Sequence, residues 1–362
     1  MRVIVAPDSF KGTATAAEIA AAIADGWRSV RPDDDVVLRP MADGGEGTLD
    51  AFEQAFPSAK RMPIVLPGPD NRPNHTSWLQ LPDGRAVVEL AATSGITLMD
   101  RLQPDAAHTI GFGRAIAAAL DSGATGLIVG IGGSASTDGG LSLLTELGLN
   151  VRFDDHAAPR AGGAALDHIV SVDTTSLRPL PSHGVTVLGD VVAPLLGPCG
   201  AATVYGPQKG VTAARIAAHE ARLSRWAALF PTVDPATPGA GAAGGAGFGL
   251  LAWGAEITPG AFAIAAALGL RSAITDADIV ITGEGRYDGQ SESGKVPSAV
   301  RTIASDHTCF LVAGEIAAPP TGFANAVSLV KLAESHTGDR LDAMRDALAW
   351  AQVAGHALAS SV

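Results

Sequence analysis

The sequence predicts an α/β protein: a doubly wound parallel sheet domain that carries a large inserted second α/β domain of mixed sheet. Three observations lead there. Short β-branched runs are followed by a loop of glycines and acids and then by a helix, the rhythm of parallel strands joined by crossover helices. That rhythm breaks at Pro57 and returns near residue 255. Hydrophobic residues make up 47% of the chain and aromatic residues only 5%, so Ala, Val, Leu and Ile must build most of the core. Layered sheets and helices suit that composition better than an aromatic-pinned sandwich. A chain of 362 residues has room for two domains, and the breaks divide it into 1–60 with 255–362 as the outer domain and 61–254 as the insertion.

Along the chain, Arg2–Ala6 reads as a strand closed by Pro7 and followed by Asp8-Ser9-Phe10-Lys11-Gly12. Thr15 caps a helix over Ala16–Trp27, and Glu18 completes a capping box. A second strand, Asp35–Leu38, runs into Pro40–Thr48, which holds Asp43 and Glu46, and a helix continues through Phe56. Pro63–Pro73 contains four prolines, and Val65–Leu90 reads as short strands with turns such as Pro82-Asp83-Gly84. A helix over Gly113–Ser122 precedes the strand Gly126–Val129, the loop Gly130–Gly140 and a helix to Leu147. The strand Val185–Leu188 ends at Asp190, and Val204–Gly210, with Lys209, leads to a helix through Phe230. Pro231–Gly249, rich in glycine, alanine and proline, reads as a loop or hinge. After a helix over Gly260–Ala273, the strand Ile279–Ile281 delivers a loop bearing Glu284, Arg286, Asp288 and Lys295. A helix over Lys295–Ser305, strands at Cys309–Ala313 and Ala326–Leu332, and an amphipathic helix over Asp339–Leu358 follow.

The formal charge of −12 argues against nucleic acid or an anionic membrane as partner, so any phosphate handled here needs a local basic patch or a bound cation. Cys199 and Cys309 lie far apart and are expected as free buried thiols, and no zinc-type spacing occurs. Apolar stretches such as Ala261–Leu270 are too short to span a bilayer. The chain enters an apolar strand at once without signal-peptide architecture, and a cytoplasmic protein is expected.

Gly289–Lys295 fits GxxxxGK, but Val296 stands where a P-loop needs Ser or Thr, and the strand ends too early. Lys295 at a helix start can still meet phosphate, or can be a solvated surface lysine. Gly239–Gly244 matches GxGxxG inside a low-complexity run with no preceding strand and carries no dinucleotide meaning. The loop Gly130–Gly140 offers either a nest of backbone donors for an anion or a tight turn N-capped by Asp138. Asp8 with Lys11, Asp43 with Glu46, and Glu284 with Asp288 all fall at carboxyl ends of strands in one expected sheet, where open α/β sheets bind ligands. Magnesium-assisted phosphoryl transfer needs carboxylates for the metal, cations for phosphate and a base for the attacking hydroxyl, and this set supplies all three. Asp190 and Lys209 extend that site from the insertion or are structural. Among the histidines only His336, beside Glu334 and Ser335, stands near such chemistry, and it reads more simply as a loop residue.

The combined motifs resemble the glycerate kinase family of bacterial glyoxylate and glucarate metabolism. Ala6–Gly12 is similar to its opening motif and Met41–Thr48 to its second. Gly132-Gly133-Ser134-Ala135 with Asp138-Gly139-Gly140, Gly206–Gly210, Thr282–Arg286, Asp288-Gly289-Gln290 and Gly294–Pro297 complete an ordered set along nearly the whole chain. Ala193 stands where the family usually has asparagine, and Tyr287 where it usually has leucine. The resemblance implies a flavodoxin-like domain with a large insertion, and ATP-dependent phosphorylation of D-glycerate with Mg2+, giving 2- or 3-phosphoglycerate. Carried onto this chain, the catalytic candidates are Asp8, Lys11, Asp43, Asp190 and Asp288. The nucleotide candidates are Gly132, Gly133, Ser134, Lys209, Glu284, Arg286 and Lys295. Asp43, Glu46, Glu284 and Asp288 are the metal candidates. A non-catalytic sensor closing on a sugar acid or nucleotide is the alternative, disfavoured because binding an anion needs fewer carboxylates beside it.

Overall fold

Val3, Ile4 and Val5 are fully buried, as a run of β-branched residues requires when both faces of its strand are covered. They belong to β1 (Arg2–Pro7), the first of the strands, which are numbered along the chain. The computed structural model describes residues 1–10, 12–154, 160–289, 291 and 295–362. They divide into two units: Met1–Asp43, Asp50–Ala55 and Gly260–Val362 form unit 1, and Gly44–Leu49 with Phe56–Pro259 form unit 2. Residues 44–49, 56–60 and 255–259, placed by the sequence in the outer domain, thus group with unit 2.

In unit 1, β1 lies between β2 (Asp35–Leu38) and β11 (Ile279–Tyr287), and β12 (Thr308–Ile316) and β13 (Asn325–Ser328) extend the sheet beyond β11. All four pairings are parallel. Chain order therefore reverses at β1, with β2 on one side and β11 on the other. The helices Ala16–Val30 and Ala347–Ser360 pack against each other beside this sheet, and Ile19, Ile23, Trp27, Ala351 and Ala354 are sealed in the core. Thr15 caps the first helix with the expected capping box: its hydroxyl accepts from the Glu18 amide at 3.2 Å, and the Glu18 carboxylate accepts from the Thr15 amide at 2.9 Å.

Unit 2 has a mixed six-stranded sheet. β3 (Lys60–Pro67), β4 (Pro73–Gln80) and β5 (Arg85–Glu89) pair antiparallel, whereas β5, β6 (Gly126–Gly130), β9 (Val185–Leu188) and β10 (Glu256–Thr258) pair parallel. A separate hairpin joins β7 (Asn150–Phe153) to β8 (Ile169–Asp173). Val88, Phe112, Leu143, Trp226 and Phe248 centre its core.

Several expectations are corrected. The strand expected over Ile279–Ile281 runs on to Tyr287, so Glu284 and Arg286 are strand residues and not loop residues. Pro231–Gly249 is not a hinge through its length: Ala240, Ala242, Ala246 and Phe248 are buried, and a helix runs from Ala246 to Trp253. The reason lies at Gly244, whose φ of +67° and distance of only 2.0 Å from an added Cβ to the Ser136 carbonyl exclude any larger residue. Glycine here serves close packing. The strand expected over Ala326–Leu332 stops at Ser328, whose hydroxyl caps the helix Leu329–Thr337. The helix expected over Asp339–Leu358 is broken at Asp346, which ends Asp342–Arg345 and caps Ala347–Ser360 through the Ala349 amide at 3.1 Å. Cys309 is buried and Cys199, expected buried, is exposed; both are free. Among the described residues no helix is long and apolar enough to cross a membrane.

Candidate functional site

Three strands of unit 1, β1, β11 and β12, place acids at their carboxyl ends. β1 delivers Asp8, whose amide donates to the Gly283 carbonyl at 2.8 Å and so extends the β1–β11 pairing by one residue. The Asp8 carboxylate accepts from the Ser9 amide at 2.7 Å and is nearly buried. The chain beyond β2 is drawn alongside β1 by the Met41 amide, which donates to the Pro7 carbonyl at 2.8 Å, and Asp43 follows two residues later. In β11, Glu284 and Arg286 share one face by the two-residue period of a strand, and register sets Arg286 beside Glu315 of β12.

These residues line a cavity of about 440 Å3, within the range of small-molecule sites. It sits at the carboxyl ends of β1, β11 and β12, where chain order reverses and where open α/β sheets bind ligands. Its charges are paired in a chain. The Lys295 ammonium lies 3.7 Å from the buried Glu284 carboxylate. The Arg286 guanidinium is 3.7 Å from Asp288 and 3.1 Å from Glu315, and Glu315 also meets Arg340 at 3.0 Å. Arg286 and Arg340 remain more than half exposed, so both can turn donors toward an anion as well.

The cavity therefore brings together Asp8, Asp43, Glu284, Arg286, Asp288 and Lys295. Lys11 lies outside the described residues, as do Gln290 and 292–294 of the GxxxxGK stretch. Glu46, Gly132, Gly133, Ser134, Asp190 and Lys209 belong to unit 2. There the Gly130–Gly140 loop directs much of its backbone inward: the amides of Gly132, Ala135 and Gly139 donate to the carbonyls of Gly44, Ser94 and Gly244. Asp138 is not the N-cap of the following helix; that position is Gly140, whose amide donates to the Asp138 carboxylate at 3.1 Å. That carboxylate also accepts from the Thr109 amide at 3.1 Å and hydroxyl at 2.9 Å. Lys209 is buried, and its ammonium donates to the Ser134 hydroxyl at 2.5 Å and the Ser136 carbonyl at 2.7 Å. Burial pulls its pKa down to about 7 despite the opposing charge of Asp138. Lys209 thus pins this loop from within. His336 is not a loop residue: it lies in the last turn of the helix Leu329–Thr337, where its Nδ1 is 2.8 Å from the Leu332 carbonyl and its ring packs on Trp350.

Sequence reasoning missed Glu315, Arg340, Leu341 and Met344. Glu315 becomes visible only through strand register. The other three fall in a stretch read as an unbroken helix, although its charged, capping-competent Asp339 and Asp346 were a signal of two shorter pieces.

Strand order and cavity are those of an α/β protein with a candidate site whose acids and cations suit an anionic ligand. The model of the glycerate kinase family matches residues 3–360. The chain is 40% identical over 317 residues to the glycerate 2-kinase of Escherichia coli K12, covering 85% of this chain and 83% of that protein. It is 41% identical over 317 residues to the glycerate kinase of Bacillus subtilis 168, covering 85% and 82%. The crystal structure of a Salmonella typhimurium LT2 protein assigned as glycerate kinase 2 superposes with a TM-score of 0.82 at 34% identity, over 100% of this chain and 98% of that one. The chain belongs to the glycerate kinase family, a family of kinases whose function is ATP-dependent phosphorylation.

Proposed function

We propose that this chain transfers the γ-phosphoryl group of ATP to a hydroxyl of D-glycerate, and that unit 1 is a flavodoxin-like domain whose cavity holds the reacting groups. The supporting observation is the convergence of Asp8, Asp43, Glu284 and Asp288 with Lys295 and Arg286 on one cavity at the reversal of strand order. Phosphoryl transfer is mostly positioning and electrostatics, and demands cations for the phosphates and an acid–base group for the hydroxyl. Lys295, Arg286 and Arg340 supply the cations. Asp43 and Asp288 are the carboxylates proposed to divide two tasks, accepting the hydroxyl proton and facing a divalent cation.

The donor set fits magnesium in a specific way. Among the described residues no three His, Cys, Asp or Glu side chains cluster to hold a metal alone. Magnesium commonly takes only one or two carboxylates and completes its shell with water and substrate phosphates, and one or two of Asp43, Glu284 and Asp288 would serve it. When bound with nucleotide it neutralises charge developing on the phosphates. In unit 2, Lys209 serves the Gly132-Gly133-Ser134 loop by pinning it, and Glu46 and Asp190 are carboxylates for substitution in the same assay.

A coupled assay of ADP release with magnesium, comparing D-glycerate, L-glycerate and no acceptor, tests the reading. ADP is expected only with D-glycerate, and phosphorus NMR of the product then distinguishes the 2- from the 3-phosphate. Tight ligand binding without ADP formation by folded protein would favour a sensor.

A further inference from the structure

The acids and cations occupy only part of the cavity. The rest of its wall comes from the segment 339–347 and from Val330 of the helix Leu329–Thr337. Leu341 and Met344 stand there 53% and 64% exposed, although both line a cavity that Ala343 and Ala347 floor with buried methyl groups. Leu341 is the N-cap of the short helix Asp342–Arg345 and Met344 follows three residues later, so the two stand on one side of it. That helix is held from both ends: Arg345 pairs with Asp339 at 2.7 Å, and Asp346 turns away to cap the next helix. The adjoining Arg340 is anchored to Glu315 at 3.0 Å, so the apolar wall is fixed beside the charged one.

From this arrangement we infer that Leu341 and Met344 form the seat for the heterocyclic base of the nucleotide, with its phosphates directed toward Arg340, Arg286 and Lys295. Glycerate is a three-carbon acid with no apolar face, and two large exposed hydrophobic side chains offer it nothing. A nucleotide joins a flat, weakly polar ring to a polyanion, which is the same pairing of surfaces that the cavity presents. Methionine suits such a ring because its unbranched, polarisable side chain adapts to a flat partner. The inference rests on the reading that the cavity of unit 1 is the phosphoryl-transfer site.

The test uses the full-length variants Leu341→Asn and Met344→Gln, which remove apolar surface without adding charge beside Arg340. Both positions are exposed, so folding is preserved, and thermal melting verifies it. Binding of ADP is measured by calorimetry, together with KM for ATP, KM for D-glycerate and inhibition by inorganic tripolyphosphate. Losing apolar contact with the base is expected to weaken ADP and raise KM for ATP by about tenfold or more, the scale set by burying one such side chain. Inhibition by tripolyphosphate and KM for D-glycerate should stay within about twofold, since neither ligand has a base. Unchanged ADP binding in both variants overturns the inference, as does equal weakening of ADP and tripolyphosphate, or a rise confined to KM for D-glycerate. Calorimetry needs no turnover. If the wild-type chain binds ADP but does not phosphorylate D-glycerate, the acceptor is wrong and the binding comparison still decides the base seat. If it binds no nucleotide at all, both readings fall.

Discussion

An ammonium group taken out of water is hard to keep charged, and Lys209 has been taken out of water almost completely. Its folded-state pKa of about 7 lies below the ordinary 10.5, so between those values the unfolded chain binds a proton that the folded chain does not. The sign follows: this site's contribution to stability is least favourable below about pH 7 and rises with pH until the unfolded lysine titrates near 10.5. Urea unfolding of the wild type and of Lys209→Met across that interval should give curves whose separation changes with pH. Parallel curves would mean that Lys209 keeps its charge in the fold. The cavity acids answer to a different measurement. Asp43→Asn and Asp288→Asn are each expected to lower kcat by roughly 10²-fold or more, the scale of losing positioned acid–base help. Wild-type turnover with intact circular dichroism would remove that residue from the chemistry. Asp8, Asp43, Glu284 and Asp288 were legible because an acid among glycines just past an apolar run is a local pattern. The burial of Lys209 was not legible, because Ser134 and Ser136 lie more than 70 residues away from it.

Helices are placed here by what they lack. Gly26 of Ala16–Val30 and Gly355 of Ala347–Ser360 face each other's partner helix so closely that a Cβ at Gly26 would sit 1.9 Å from the Gln352 carbonyl, and one at Gly355 would sit 2.1 Å from the Ile23 carbonyl. Backbone cannot yield as a side chain does, so any methyl must force the helices apart and strip packing from Trp27, Ala351 and Ala354. Gly355→Ala gains helix propensity, yet overpacking should dominate and destabilise by about 1–3 kcal/mol. Equilibrium urea denaturation measures it, and a variant as stable as wild type would show that the helices separate at little cost. Elements themselves were readable where local chemistry decides them. The Thr15–Glu18 box fixed one helix start, and β-branched runs fixed β1, β2 and β9. They were misread where a distant partner decides: β11 continues through glycines to Tyr287 because β12 supplies a parallel ladder as far as Ile316. Asp346 likewise interrupts an amphipathic stretch whose apolar spacing alone favours continuity.

At the scale of the whole chain, connectivity sets the order in which structure can form. β1 is central in the sheet of unit 1, yet its partner β11 lies far along the sequence, and the Thr282 hydroxyl that donates to the Ala6 carbonyl comes from 276 residues away. Closing such a loop costs entropy before any contact repays it. No local periodicity could reveal that β1 is sandwiched between β2 and β11, although the change of texture at Pro57 was visible in composition. Unit 2, by contrast, lies within the single span Gly44–Pro259, of which only Asp50–Ala55 groups with unit 1. Its six-stranded sheet and the cluster around Val88, Phe112, Leu143 and Trp226 are contained in Gly44–Pro259. A fragment spanning 44–259 is therefore expected to melt cooperatively by itself, as a domain with its own core should. A chain ending at Asp278 should keep that transition while leaving residues 1–43 without protection from hydrogen exchange, because β1 then has neither β11 nor the strands beyond it. Two outcomes would count against this account: a fragment 44–259 that unfolds without cooperativity, or protected β1 amides in the shortened chain. Either would mean that the units do not carry their stability separately.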